Sequence, residues 1–475
     1  MALSRQQIVP LVVACAMFME QIDGTVITTA VPRIAEALHT DPVHLNLAVS
    51  CYMLSLAVFI PLSGWIADRF GAKNVFRFSI VVFIVGSVAC GLASSLWFLV
   101  LSRIFQGLGG AMMVPVGRLA LLKTIPKNRL VDAMALMTAP ALLGPILGAP
   151  IGGIIVTYFS WRWIFFINVP IGILGIVMVS RYIDNIYGNR SAPLDLSGFL
   201  LMAVTLAGLM FGFETVGRNL VSTPTIVGVT TVSVFCLFFY LVSLRKRRFP
   251  ILDLRPLRYP TYRSAMIGGS FFRISIGAMP FLLPLFFQYG FGMSPAMSGF
   301  MTLGGAAGSC LMKILSTRVL RITGFKNLLI GNSVLNAFYF ALCAAFSLEM
   351  SIGYIFAFLL MGGIFRSIQF MAINSVAFAD IPDRLLSRAN TFYNMMQQLT
   401  LSLGVAVGAL ALNVSLRLRD ATTPQISDFG PVFIFLAVIT LLALVSYIPL
   451  PANAGDVLRD KKGVSAEGAS QKDIV

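Results

Sequence analysis

The stretch Met19-Glu20-Gln21-Ile22-Asp23-Gly24-Thr25 lies inside an apolar run from about Ile8 to Ala30. That run has the length a helix needs to cross a bilayer, about 20 residues at 1.5 Å each. Two carboxylates therefore stand at membrane depth, where an isolated charge costs about 2.5–3.5 kcal/mol or more. Their i, i+3 spacing puts Glu20 and Asp23 on one helix face. Acids so placed face a partner, a cavity or an ion path. Two readings are open: a structural ion pair within a helix bundle, and a proton site.

The same apolar signal recurs along the chain. Of 475 residues, 57% are hydrophobic and only 11% charged, with a mean hydropathy of +0.87. Soluble domains carry about 25% charged residues, so this is an all-α polytopic membrane protein. Fourteen apolar segments are expected, at about 8–30, 44–66, 74–93, 96–121, 133–157, 163–181, 196–216, 223–243, 262–288, 295–316, 326–346, 351–374, 389–413 and 431–450. A β-barrel would instead show alternating segments of about ten residues. Arg5 followed by Ile8–Ala14 and Cys15 loosely imitates a lipoprotein signal, but the same helix continues through Asp23 to Pro32 and reads as a retained span.

The formal charge of +16 would suggest nucleic acid in a soluble chain. Here the bases sit in short connections, and the positive-inside rule accounts for them without a nucleic-acid partner. With the N-terminus inside, the inner connections hold Arg69, Lys73 and Arg77, then Lys123, Lys127 and Arg129, then Arg181 and Arg190. Arg245-Lys246-Arg247-Arg248 follows, with Arg255, Arg258 and Arg263, then Arg318, Arg321 and Lys326, then Arg384 and Arg388. The outer connections hold only Arg33, Arg162, Arg218, Arg417 and Arg419, which places both termini in the cytoplasm.

The chain divides into 1–181, a six-helix bundle; 182–244, an inserted two-helix hairpin; 245–261, a basic hinge linker; 262–450, a second six-helix bundle; and 451–475, a polar, disordered tail. The linker's basic run could rest on anionic headgroups of the lipid bilayer. Six cysteines show no paired spacing and read as small buried residues. The only histidines, His39 and His44, share one polar loop. No metal site, cofactor or catalytic constellation is expected, so the chain does not read as an enzyme.

Gly64-Trp65-Ile66-Ala67-Asp68-Arg69-Phe70-Gly71-Ala72-Lys73-Asn74, then Arg77, follows the second apolar segment. Gly71 permits a tight reversal between helices, and Asp68 can meet the N-terminal dipole of a neighbouring helix. Arg103-Ile104-Phe105-Gln106-Gly107-Leu108-Gly109-Gly110 lies in the fourth segment. Gly144-Pro145-Ile146-Leu147-Gly148, then Gly152 and Gly153, lies in the fifth, where small residues permit close packing. Trp161-Arg162-Trp163-Ile164-Phe165-Phe166-Ile167-Asn168-Val169-Pro170 follows, and Asn394-Met395-Met396-Gln397-Gln398 lies in the thirteenth.

In these motifs the chain resembles the major facilitator superfamily, specifically its fourteen-helix drug:proton antiporter branch, and within it the MdtD-type multidrug resistance proteins. The resemblance implies the major facilitator fold, alternating access in a bacterial inner membrane, and export of small organic molecules driven by proton entry. It assigns the gate to Gly64, Asp68, Arg69, Gly71, Lys73 and Arg77, and an antiporter motif to Gly144, Pro145, Gly148, Gly152 and Gly153. The second-half copy of the gate loop keeps Arg318, Arg321, Gly324 and Lys326 but no acid, so the first half is expected to control the gate. A monomer is expected.

Glu20, Asp23 and Arg103 are the expected proton-coupling residues. Asp23 lies about seven residues below the outer end of its segment, and so does Arg103 in its own, roughly 10 Å in each case. The shared depth predicts that Asp23 pairs with Arg103, leaving Glu20 facing a cavity as the more readily protonated acid. Gln106, Arg273, Arg366, Asn394 and Gln398 are candidates for a substrate cavity. Phe271, Phe272, Phe286, Phe287 and Met361 are open to two readings, an apolar lining of that cavity and plain core or lipid-facing packing. Arg118 and Lys313 are expected to snorkel, and Glu214 to lie outside the transport path. Arg273 and Arg366 also allow a rival reading, export of a specific anionic metabolite or metal chelate. A non-transporting membrane sensor is a second rival.

Overall fold

The computed structural model describes residues 5–40, 42–215, 221–244, 249–421 and 423–456. The first run of helices is α1 (Arg5–Ala37), α2 (Pro42–Phe59), α3 (Leu62–Phe70), α4 (Ala72–Gly91), α5 (Leu96–Thr124), α6 (Leu130–Tyr158), α7 (Trp163–Phe166) and α8 (Asn168–Tyr182). Then come α9 (Leu196–Thr215) and α10 (Thr223–Leu244), followed by α11 (Pro260–Leu285), α12 (Pro295–Thr323), α13 (Phe325–Cys343), α14 (Ile352–Val376), α15 (Asp383–Leu418), α16 (Ile426–Leu442) and α17 (Leu444–Tyr447).

Among the described residues, ten helices are long and apolar enough to cross a membrane, or eleven if α2 and α3 form one span. The segments expected at 133–157, 295–316 and 326–346 also fold as helices, α6, α12 and α13, outside that set. The second expected segment is not one straight rod: α2 and α3 meet at a 58° bend. Pro61 sits at the break, where its ring and missing N–H interrupt the helical ladder. α1 is longer than its apolar run; its 33 residues reach about 50 Å against a hydrocarbon core of about 30 Å.

Helices α1 to α8 pack mainly on one another, as do α11 to α17. The two sets meet where α2, α3 and α5 touch α15, and where α6 touches α12 and α14. Side-chain hydrogen bonds cross this junction towards the end of the molecule that carries the Asp68 loop. Ser387 Oγ donates to the Gly64 carbonyl at 3.1 Å, and Asn390 Nδ2 to the Pro115 carbonyl at 2.7 Å. Arg118 Nη1 donates to Asn394 Oδ1 at 2.9 Å, and Lys127 Nζ to the Ala379 carbonyl at 3.0 Å. At this end the two sets are closed on each other. Polar side chains also join helices within a set: Asn332 Nδ2 donates to Gln369 Oε1 at 2.8 Å, tying α13 to α14.

The connection between α10 and α11, expected as a basic hinge linker, is described only in part. Arg245-Lys246-Arg247-Arg248 lies outside the described residues, as do 457–475 of the expected disordered tail. From Phe249 onward the chain is pinned. Tyr240 Oη donates to the Leu252 carbonyl at 3.0 Å and accepts from the Leu252 amide at 2.9 Å. Asp253 is buried and accepts from the Arg255 amide at 2.9 Å, from Arg255 Nε at 2.9 Å and from Arg388 Nη1 at 2.7 Å. Arg388 belongs to α15, so the linker is fastened to the same helix that meets the Asp68 loop.

Burial alone would push the Asp253 carboxyl up, but the hydrogen bonds from Arg255 and Arg388 outweigh it and hold the group below the usual carboxylate range. A carboxyl lowered by folding contributes stability above its unfolded value, near pH 3.9, and loses it as the pH falls through the lower folded value. Asp253→Asn should therefore lower the stability of the purified protein by about 1–2 kcal/mol at pH 7. Melting curves should show the gap between variant and wild type closing as the pH falls below about 4. A gap independent of pH would contradict this role.

Candidate proton site and gate

The acid centre is assembled from five helices. α1 supplies Glu20 and Asp23, α5 supplies Arg103 and Gln106, α4 supplies Ser87 and Cys90, α7 supplies Phe165, and α8 supplies Asn168. Gly86 makes the arrangement possible, because a Cβ there would stand 2.6 Å from Gln106 Cα; no larger residue lets α4 and α5 approach so closely. Arg103 Nη1 donates to Asp23 Oδ2 at 2.6 Å and to Gln106 Oε1 at 2.8 Å. Gln106 Nε2 and Asn168 Nδ2 both donate to Asp23 Oδ1, at 2.9 and 2.8 Å. Asn168 Nδ2 also reaches Ser87 Oγ at 2.9 Å, and Ser87 donates to the Phe165 carbonyl at 2.9 Å.

The pair is sealed from solvent, with the Arg103 and Asp23 side chains 0% and 1% exposed. Arg103 also lies 4.1 Å from the Tyr52 ring centroid, a cation–π contact made stronger by desolvation. Glu20, one turn away, is treated differently. It is half-buried, and its Oε2 is shielded from solvent without any hydrogen-bond partner. The Tyr52 hydroxyl is likewise unpartnered and stands within the electrostatic field of Glu20, Asp23 and Arg103. One acid is thus held by three donor side chains and its neighbour by none.

The depth argument put Asp23 and Arg103 at one level, and they are in contact. Gln106, expected in a substrate cavity, instead binds Asp23. Asn168, Ser87 and Tyr52 were not anticipated. Asn168 had a signal, an amide at the head of an apolar run; Ser87 had none, since a lone serine in a membrane helix ordinarily bonds its own backbone, and Tyr52 reads as one more aromatic core residue. Gly144 and Gly148 lie against α1 just beside the acids: an added Cβ would come within 2.5 Å of Gln21 Cβ and 1.9 Å of Thr25 Oγ1 respectively. Gly152 is buried on the same helix, whereas nothing lies within 4 Å of a Cβ at Gly153. The Pro145 side chain is outside the described residues, as are those of Glu214 and Lys313.

At the far end, Gly71 makes the expected reversal between α3 and α4 with φ 88°, a value that favours glycine. The segment from Ile183 to Asp195 straps across this turn. The Gly188 amide donates to the Asp68 carbonyl at 3.0 Å, Trp65 Nε1 to the Ala192 carbonyl at 3.0 Å, and Lys73 Nζ to the Ser180 carbonyl at 2.6 Å. Arg69 reaches the Arg190 carbonyl at 3.4 Å, while Arg77 is exposed. Asp68 was expected at a helix dipole; its charge partner is Lys123 of α5 at 3.5 Å. From the other set α15 faces the loop through Ser387; the Arg318 and Arg321 side chains of the second-half loop copy lie outside the described residues.

In the second set, Arg273 is fully buried and donates a short hydrogen bond to the Tyr393 hydroxyl. Arg366 donates to Ser309 Oγ at 3.0 Å and lines a cavity of 310 Å³ with Ile276, Met279, Leu283, Tyr339 and Leu359. Asn394 is buried, and Gln398 half-buried on the same helix. Of the two readings for the aromatic residues, packing is the one seen: Phe272, Phe286 and Phe287 are in the core, and Met361 is exposed. Arg118 does not snorkel; it is 2% exposed and bonded across the junction to Asn394.

A membrane-embedded bundle of two helix sets, joined at one end and holding a sealed acid–base centre, defines a polytopic transporter. The family model of the Major Facilitator Superfamily matches residues 13–405 and 265–471, and the chain belongs to that family. It is 37% identical over 448 residues to the "Probable transport protein HsrA" of Haemophilus influenzae, covering 94% of this chain and 96% of that one. It is 36% identical over 404 residues to the "Putative multidrug resistance protein MdtD" of Escherichia coli O139:H28, covering 85% of each. The MdtD protein of Pectobacterium carotovorum subsp. carotovorum is 35% identical over 92% of this chain and 94% of its own. The fold is that of the human organic anion transporter MFSD10, with a TM-score of 0.65 at 12% identity, over 94% of this chain and 100% of that chain.

Gly64 of α3 packs against α15 of the other helix set. A Cβ there would meet Thr391 Oγ1 at 2.3 Å and Ser387 Oγ at 3.2 Å. Gly64→Val should therefore wedge α3 from α15. Thiol labelling of a Ser387→Cys reporter in membranes should rise several-fold in the Gly64→Val background; an unchanged labelling rate in a well-expressed protein would contradict the close contact.

Proposed function

We propose that this protein exports small organic molecules in exchange for protons, by alternating access between its two helix sets. The single observation that carries the reading is the sealed Asp23–Arg103 pair with the unpartnered carboxyl of Glu20 one turn away. A structural ion pair needs only Asp23 and Arg103. A second acid beside it, left without a donor at membrane depth, adds cost without adding an interaction, unless it binds and releases a proton.

In this mechanism Arg103, Gln106 and Asn168 hold the Asp23 carboxylate in place, and Glu20, on the same helix face, takes the proton. The cytoplasmic face is the basic, Asp68-bearing end, in keeping with the positive-inside rule. Hydrogen bonds there, from Ser387, Asn390 and Lys127, stabilise the form closed to the cytoplasm. The MdtD relatives carry a multidrug resistance name, which supports an exported organic substrate.

The test uses proteoliposomes with an imposed pH gradient and pyranine to report proton flux, against a mixed panel of organic cations and anions. Glu20→Gln and Asp23→Asn should each abolish substrate-dependent proton flux while leaving the protein folded. Arg103→Ala should cut substrate-dependent proton flux at least tenfold, because Asp23 is left buried without its partner. Arg103→Lys should recover part of the activity, since it restores charge but not the fork geometry. Proton flux in a well-expressed Arg103→Ala protein equal to wild type would overturn the assignment.

A further inference from the structure

Arg118 and Arg273 lie inside the helix bundle, and among the described residues no acid pairs with them. They are 2% and 0% exposed. Arg118 comes from α5 of the first set and Arg273 from α11 of the second, yet they share one ring. Their guanidinium carbons lie 5.3 and 4.7 Å from the centroid of Tyr393 on α15. Arg273 Nη2 donates to the Tyr393 hydroxyl, which in turn donates to Asn374 Oδ1 at 2.5 Å. Arg118 Nη1 donates to Asn394 Oδ1 at 2.9 Å. Among the described residues neither arginine forms an ion pair. Arg118 Nε and Arg273 Nε and Nη1 are buried without any hydrogen-bond partner.

The contrast with Arg103 is sharp. Arg103 is equally buried and has Asp23. The acid centre cannot also serve Arg118, which lies fifteen residues, or about 22 Å, further along α5. From Pro260 to Tyr447 the only acids are Glu349, Asp380, Asp383, Asp420 and Asp428, each at a helix end or in a connection. Two buried like charges with free donors are among the most unfavourable arrangements a membrane interior can hold. Neutral phenol and amide oxygens take two of their donors and neutralise neither.

We propose that Arg118 and Arg273 form a divided anion-binding site for an organic anion with two or more carboxylates. It assembles from both helix sets when they part at the Asp68 end. The planar fork of a guanidinium matches a carboxylate bidentately, so each arginine can take one carboxylate. In the closed form seen here, Asn394 and Tyr393 occupy donors that the ligand would use. Closure thus exchanges ligand oxygens for protein oxygens and expels the anion away from that end. This rests on the export reading above and narrows its substrate class; a lipophilic cation would be repelled from the same place.

The experiment measures tricarballylate, succinate and ethidium binding to the purified full-length protein at pH 7 by calorimetry, with pyranine-reported proton flux in proteoliposomes alongside. Tricarballylate should bind saturably, and Arg118→Gln and Arg273→Gln should each weaken it at least tenfold without lowering the melting temperature. If a Gln variant fails to fold, Arg118→Lys and Arg273→Lys keep the charge and lose the fork, and each should still weaken binding several-fold. Absence of binding by either carboxylate, or affinities in the variants equal to wild type, would overturn the site. Carboxylate binding without proton flux would leave the site standing and remove the coupling. Ethidium-driven proton flux without carboxylate binding would do the reverse.

Discussion

The hydrogen-bonded ion pair between Asp23 and Arg103 is the constraint on which the rest of the first helix set depends. In an apolar interior, breaking such a pair by removing one member costs about 3–5 kcal/mol, because the survivor is left charged and unpaired. The pair therefore locks α1 to α5 at one register. Gln106 and Asn168 then tie α5 and α8 to the same carboxylate, and the close approach of α4 at Gly86 completes the enclosure. What remains outside this arrangement is Glu20, and the functional proposal turns on that difference between two acids three residues apart.

The opposite end of the molecule uses different chemistry. There the hydrogen bonds between helix sets run from Ser387, Asn390 and Lys127 to backbone carbonyls and from Arg118 to Asn394. Each is worth about 0.5–3 kcal/mol net, so the junction is held by several separate bonds. Opening it frees Arg118 from Asn394. The strap over the Asp68 loop and the fastening of Asp253 to Arg388 keep its outer parts in register. In the proposed cycle, the strong pair stays fixed within one helix set and the hydrogen bonds between sets exchange.

Much of this is legible in the sequence. Hydropathy gave the helices because lipid leaves the backbone few alternatives. The helical rise alone brought Asp23 and Arg103 to one depth. Gly71 announced its turn because few other residues adopt its φ. Other features were hidden for physical reasons. Helix rotation decides whether Arg118 reaches the interface or the headgroups, and a basic residue near a helix end looks alike in both cases. Phe272, Phe286 and Phe287 read equally as core, lipid-facing or cavity residues, and packing made them core. The linker's composition suggested a basic hinge but not its fastening, because the ties of Asp253 to Arg255 and Arg388 depend on contacts of which only the nearer lies within three residues.

The central claim is that the unpartnered acid, not the paired one, is the first to take a proton. Infrared difference spectroscopy of the purified protein measures this through the C=O stretch of protonated carboxyls as the pH is lowered. The account predicts that the first carboxyl band to appear is absent in Glu20→Gln and present in Asp23→Asn. A first band that survives in Glu20→Gln and vanishes in Asp23→Asn would contradict it.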